Sequence, residues 1–150
     1  MNDLRSAVDI LYADFAWAID RGVPEMLGDI FEPDAVYATG GHTLVGVDAI
    51  RRRFAGRSGG RSRITRHTYS GLRLRITDPD SSSSDQPEVH ATSVWTCFAA
   101  NGAEPPVGVP PLYMVADFSD RLRLGADHRW RIAERVITPV FHDPAAAPRE

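Results

Sequence analysis

The apolar residues of this chain change from mainly helical to strand spacing near residue 64, and that change limits the folds open to it. Before it, Leu4, Val8, Leu11, Phe15 and Ala18 recur every three or four positions, the stripe of an amphipathic helix. After it the spacing is two, with Leu72, Leu74 and Ile76 on one side of a strand and Arg73 and Arg75 on the other. A chain that spends its helical pattern first and its strand pattern last predicts an α+β fold, with helices on one face of a curved, mainly antiparallel sheet.

Local signals divide the two halves further. Gly22 is a plausible stop for the first helix, and Pro24 suits the first turn of a short second one carrying Met26, Leu27, Ile30 and Phe31. Glu32-Pro33-Asp34 breaks it. Residues 35–39 and 42–45 read as two short strands around Gly40-Gly41. Asp48 opens a third helix that has Ile50 and Phe54 on one side and Arg51, Arg52 and Arg53 on a solvated face. Four longer strands follow. In the third, Leu112, Met114, Ala116, Phe118, Leu122 and Leu124 mark one face, interrupted by Asp120; in the fourth, Trp130, Ile132, Val136 and Thr138 share a face. Residues 78–87, with four consecutive serines, are expected to form a mobile hairpin loop, and the proline-rich stretch 101–111 another loop. The residues after Asp143 read as a frayed tail. No repeat or linker divides the chain, so residues 1–150 are expected to form one domain.

Composition removes several function classes. One cysteine, Cys97, allows neither an internal disulfide nor a cysteine-rich metal site. Five scattered histidines lack ligand spacing, so no metal is expected. A net charge of −3 argues against nucleic acid as the main partner, and no apolar run reaches the roughly 20 residues of a membrane span. A cytoplasmic protein is expected. All 17 basic residues are arginine, a coding bias and not a chemical signal.

Two residues far apart in sequence carry the strongest hint of chemistry: Asp20, at the end of the first helix, and His67, within Thr65-Arg66-His67-Thr68-Tyr69-Ser70-Gly71. His67 has parity opposite to Leu72 and Leu74, but a β-bulge at Gly71 would bring it onto their face. A straight helical projection puts Asp20 about 160° from Leu4, on the polar side, where it would be a solvated acid. A carboxylate in the last turn opposes the helix dipole unless a partner compensates, and His67 is the candidate partner. His42 marks a polar turn and His90 a strand end. Asp120 and Arg135 suit a structural ion pair across neighbouring strands. Ser70 lacks a base, and Cys97 sits in an apolar strand, so neither is expected to act as a nucleophile.

The segments Ala18-Ile19-Asp20-Arg21-Gly22, Ile30-Phe31-Glu32-Pro33-Asp34-Ala35-Val36, Gly46-Val47-Asp48-Ala49-Ile50, Thr65-Arg66-His67, Phe118-Ser119-Asp120-Arg121-Leu122 and Arg129-Trp130-Arg131-Ile132-Ala133-Glu134-Arg135 together resemble a SnoaL-like member of the NTF2-like superfamily. The resemblance implies a cone of three N-terminal helices on a strongly curved sheet that encloses a pocket. Within the superfamily, scytalone dehydratase and hexachlorocyclohexane dehydrochlorinase resemble the chain at Asp20 and His67, where those enzymes hold a proton-abstracting dyad. The chain departs from scytalone dehydratase near Val94, where that enzyme has a second histidine, and Tyr37 is offset from a water-holding tyrosine. The resemblance implies a cofactor-independent lyase or isomerase for a small hydrophobic cyclic or polyketide-like molecule. Asp20 and His67 would be catalytic and Tyr37, Trp95 and Phe118 substrate-facing, with core packing as the alternative for the aromatics. It also implies a homodimer or homotrimer. Two other readings stay open: a noncatalytic ligand-binding or partner-subunit protein, and a polyketide cyclase or epoxide hydrolase in which Asp120 or another acid works through water.

Overall fold

In the computed structural model, residues 2–57, 63–77, 87–102, 104–108 and 112–148 are described. The long N-terminal helix α1 (Asn2–Arg21) is followed by a 3-10 turn (Pro24–Met26), a single helical turn α2 (Leu27–Ile30), strands β1 (Phe31–Thr39) and β2 (His42–Val45), and helix α3 (Val47–Arg57). Four long strands complete the chain: β3 (Arg63–Thr77), β4 (Glu88–Asn101), β5 (Leu112–Leu124) and β6 (Trp130–His142). The strands form one mixed sheet in the order β2-β1-β6-β5-β4-β3. Only the β1–β6 pairing is parallel. The α+β architecture expected from the two periodicities is the one observed. The serine-rich stretch 78–86 and residues 103 and 109–111 of the proline-rich stretch lie outside the described residues.

Helix α1 packs its apolar stripe against the concave side of the sheet, with Val8, Leu11, Tyr12, Phe15 and Ala18 all buried. Its end is built by Gly22, whose φ of +67° supplies the left-handed residue of a Schellman-type stop. The Val23 N–H donates back to Ala18 O at 2.8 Å and the Gly22 N–H to Ile19 O at 3.3 Å. Strand β1 begins at Phe31, four residues before the expected position; Pro33 is accommodated where the β1–β6 register is irregular, between Phe31 and Val36.

Of the register irregularities in the sheet, the β-bulges at Gly71 and Ala133 decide which side chains around the site and the core face inward. At Gly71 (φ +64°) the β3–β4 register shifts between Ser70 and Arg73, so Thr65, His67 and Tyr69 join Leu72 and Leu74 on the concave side. On β6, Arg121 pairs with Glu134 but Leu122 with Ile132, which leaves Ala133 as an extra residue. Parity therefore inverts after Ala133: Arg135 and Ile137 are buried, whereas Val136 is 39% exposed. This corrects the expectation that Val136 shares the inward face of Ile132. A second correction concerns the C-terminus. Residues 144–146 form a 3-10 turn, capped by the Asp143 carboxylate, that packs Ala146 into the protein.

The depth of the cone is occupied by aromatic rings. Trp95 stacks on Phe118 (centroids 5.0 Å apart, 19° between planes) and contacts Tyr69, Tyr12 and Phe15 at 5.1–5.6 Å. Phe15, Phe31, Tyr37 and Phe54 extend the cluster edge to face. Such pairs each add about 0.5–1.5 kcal/mol beyond area burial. Inside this cluster lies a buried ion pair. Arg135 donates from Nε and Nη2 to the two oxygens of Asp120 at 2.8 and 2.7 Å, and both side chains are fully buried. The Tyr12 hydroxyl also donates to Asp120, and the guanidinium stands 4.2 Å from the Phe15 ring centroid. The cross-strand Asp120–Arg135 pair expected from the sequence is thus present.

Candidate active site

Strand β3 is an edge strand, and the site is built on its open side. An antiparallel edge strand turns every second backbone N–H and C=O away from its only partner. At residue 67 that outward N–H is taken by α1: it donates to Asp20 Oδ2 at 2.9 Å. His67 and Cys97 are register partners on β3 and β4. With the His67 N–H turned outward, theirs is a non-hydrogen-bonded pair, the type with closer side chains, about 4.5 Å between Cα atoms.

The second carboxylate oxygen of Asp20 holds two side chains of the same strand face. His67 Nδ1–H donates to Asp20 Oδ1 at 2.6 Å, and Thr65 Oγ1 donates to the same oxygen at 2.8 Å. Asp20 therefore fixes the backbone, the ring orientation and the tautomer of His67 at once. The Asp20 side chain is 8% and the His67 side chain 12% exposed. Asp20 is not the solvated acid that a straight helical projection makes it, because β3 runs alongside the end of α1 and covers its polar side. The three donors also offset the unfavourable placement of a carboxylate at a helix C-terminus.

The electrostatics follow from this geometry. Burial pushes the Asp20 carboxyl up, but the His67 hydrogen bond and charge and the Thr65 hydroxyl outweigh it, and the group stays below the usual carboxylate range. Burial pushes His67 down; the hydrogen bond to Asp20, the contact with the Cys97 thiol and the Asp20 charge overcome this and raise its pKa to about 9. The resting pair near neutral pH is an imidazolium on a carboxylate. Deprotonated, the ring keeps Nδ1–H on Asp20 and leaves Nε2 with a lone pair for an incoming proton.

The remaining candidates occupy different places. Tyr37, Trp95 and Phe118 are at most 6% exposed and belong to the aromatic cluster in the depth of the cone. His42 and His90 are exposed, His90 on the convex face of the sheet, and neither is near the dyad. Asp120 is fully engaged by Arg135 and Tyr12. Sequence reasoning missed Thr65 and Cys97 as neighbours of the dyad. Thr65 was detectable by its even spacing from His67; Cys97 depended on a strand register that the sequence does not reveal. A separate cleft of about 290 Å³ lies on the outside, between the first half of α1, the α2 turn and the β5–β6 turn, and contains none of the candidate residues. Among the described residues no cluster of three or more His, Cys, Asp or Glu side chains is placed to hold a metal ion, and no helix is long and apolar enough to cross a membrane.

Comparisons with known proteins agree with this architecture. No curated protein sequence matches the chain. Among solved structures, ActVI-ORFA from Streptomyces coelicolor superposes with a TM-score of 0.75 at 18% identity, covering 92% of this chain and 98% of that one. A scytalone dehydratase-like protein from Novosphingobium aromaticivorans gives 0.73 at 22% identity, covering 99% and 97%. A type 2 hexachlorocyclohexane dehydrochlorinase gives 0.72 at 19% identity, covering 95% and 88%. At these identities the likeness is one of fold. A family model described as the SnoaL-like domain matches residues 3–136, and the chain belongs to that family.

Proposed function

We propose that the protein is a cofactor-independent lyase or isomerase acting on a small hydrophobic cyclic or polyketide-like molecule, with the Asp20–His67 dyad removing a carbon-bound proton. The observation that carries this reading is the 2.6 Å Nδ1–Oδ1 bond, made by a carboxylate that also holds the His67 backbone N–H. By holding both the ring and the backbone of His67, this carboxylate fixes the tautomer and ring angle that a general base needs. In the reaction, Nε2 of neutral His67 takes the proton, Asp20 stabilises the imidazolium that forms, and the electron pair left on carbon expels water or halide from the neighbouring carbon or shifts a double bond. Met114, on the inward face of β5 beside Cys97, and the rim of the aromatic cluster with Trp95 and Phe118 would line the apolar side of the substrate, with Tyr37 further in. Solved relatives of this fold include a dehydrochlorinase and a scytalone dehydratase-like protein, and one Catenulispora acidiphila structure holds the small ligand S-DNPA. These support a small-molecule chemistry without naming its substrate.

Lyase and isomerase share their first step, so the test does not need the natural substrate. Cyclic aromatic ketones are incubated with the protein in D2O and exchange at the α-carbon is followed by proton NMR. Exchange that disappears in both His67→Ala and Asp20→Ala supports the reading. Absence of exchange across a broad panel, or exchange that survives His67→Ala, overturns it.

A second reading, a noncatalytic ligand-binding or partner-subunit protein, draws support from the aromatic rings packed into the cone and from Val94, Val136 and Val140 exposed on the sheet. We also expect a homodimer or homotrimer formed through that convex face, testable by analytical ultracentrifugation of the wild type and Val136→Asp.

A further inference from the structure

The C-terminal residues are held across the concave side of the sheet, on the side that bears the dyad. Strand β6 ends at His142 beside Met114 of β5. The Asp143 N–H then donates to Tyr113 O at 2.9 Å, and the 3-10 turn Pro144–Ala146 carries the chain over β5 and β4 towards β3. Two side chains hold it there. Arg63 Nη1 donates to Ala146 O at 2.9 Å, and Asn101 Nδ2 donates to Ala147 O at 2.7 Å. Arg63 and Asn101 are register partners on β3 and β4, and Arg63 Nη1 also donates to Asn101 Oδ1 at 2.6 Å, so the latch is one connected unit. Ala146 is 6% exposed.

Parity places this latch relative to the dyad. Arg63, Thr65 and His67 are at even spacing, and no register shift separates them, so their side chains share the concave face. Four residues of strand correspond to about 13 Å. The strap therefore crosses the same face as the His67 ring, a short distance towards the open end of the sheet. An arginine and an asparagine bonded to backbone carbonyls hold residues 146 and 147 in place against the sheet. Hydrogen bonds of this kind are enough to hold a segment that still opens locally.

We infer that the strap at Pro144–Ala147 covers the concave face that bears His67, and that Arg63 and Asn101 are positioning residues that hold it there and set the size of molecule reaching the dyad. The selection of substrates by size rests on the dyad reading above; the closure does not, because it can be measured without any turnover.

Cys97, the only cysteine of the chain and the cross-strand neighbour of His67, is the built-in reporter. Its labelling by a small thiol reagent (iodoacetamide) and by a bulky one (a pyrene maleimide) is measured under native conditions. The proteins compared are wild type, Asn101→Asp, Arg63→Ala and a chain ending at Asp143, with urea stability measured alongside. Opening the latch is expected to raise the labelling rate about tenfold, as the loss of one or two hydrogen bonds on a locally opening segment implies. The ratio of bulky to small reagent rates is expected to rise with it. A variant that merely loosens the whole fold would speed both reagents in proportion to its lost stability, and that outcome overturns the inference, as do unchanged rates in Asn101→Asp and the truncated chain. If latch variants label faster yet no variant or wild type exchanges ketone protons, the strap is a gate and the dyad reading alone has failed.

Discussion

Replacing Asp20 by Asn tests the electrostatics of the site most directly. The side chain keeps its shape and one carbonyl oxygen but loses its charge. In the wild type, the Asp20 hydrogen bond and charge, together with the Cys97 thiol, raise His67 from 6.5 to about 9 against the opposing effect of burial. At about 1.4 kcal/mol per pH step, that gap corresponds to roughly 3 kcal/mol of coupling, and the 12% exposure of the ring leaves little solvent to screen it. In Asp20→Asn, burial acts unopposed by the carboxylate charge, so His67 is expected to titrate well below 9. The folded-state pKa of His67 lies above the unfolded one, so its stabilising contribution is fully present below pH 6.5 and is lost as pH rises through about 9. The wild type should therefore exceed Asp20→Asn in stability by up to about 3 kcal/mol at pH 6 and by much less at pH 10. The measurements are an NMR titration of the His67 Cε1–H resonance, identified against His67→Gln, and urea denaturation at both pH values. A His67 that still titrates near 9 in Asp20→Asn, or a stability difference that does not shrink between pH 6 and 10, would refute the assignment of Asp20 as the group that holds the imidazolium.

Other consequences can be checked independently. If neutral His67 is the base, kcat/KM for proton exchange should rise about tenfold per pH unit below the free-enzyme pKa and level off near 9; a flat profile between pH 6 and 9 would remove His67 from the step. Arg135→Met should cost about 3–5 kcal/mol in urea denaturation by leaving Asp120 buried without its partner, and adding Asp120→Leu should recover most of the loss. Gly71→Val should cost about 1–2 kcal/mol, because the site is sterically open but its φ of +64° is strained for a branched residue. Exposed His42→Ala and His90→Ala should each change stability by less than about 0.5 kcal/mol and leave the His67 titration unchanged.

What the sequence discloses depends on whether the decisive residue announces itself. Gly71 does: a glycine inside a strand pattern signals a bulge, and the bulge puts His67 on the inward face. Ala133 does not, since an alanine in a strand looks ordinary, so the parity of β6 reads correctly up to Ile132 and inverts after it. Asp20 looks exposed because a helical projection contains no neighbours; the strand that covers it arrives 45 residues later. The Asp120–Arg135 pair is legible as opposite charges on adjoining strands, but its depth among aromatic rings is not. The C-terminal strap escapes for the same reason as Asp20: Pro144 to Ala147 has no periodicity, and the partners that fix it, Arg63 and Asn101, are distant in sequence.

The backbone bond from His67 to Asp20 gives the pair a duty unrelated to turnover. β3 is fifteen residues long and has one free side. Asp20 occupies the N–H of His67 there, and Arg5 occupies the carbonyl of Leu72 at 3.2 Å. Long unprotected edges recruit other chains. A variant that loses Asp20 therefore loses a guard against self-association as well as a proposed catalytic group, and selection on solubility would retain this aspartate even in a descendant that had abandoned the chemistry.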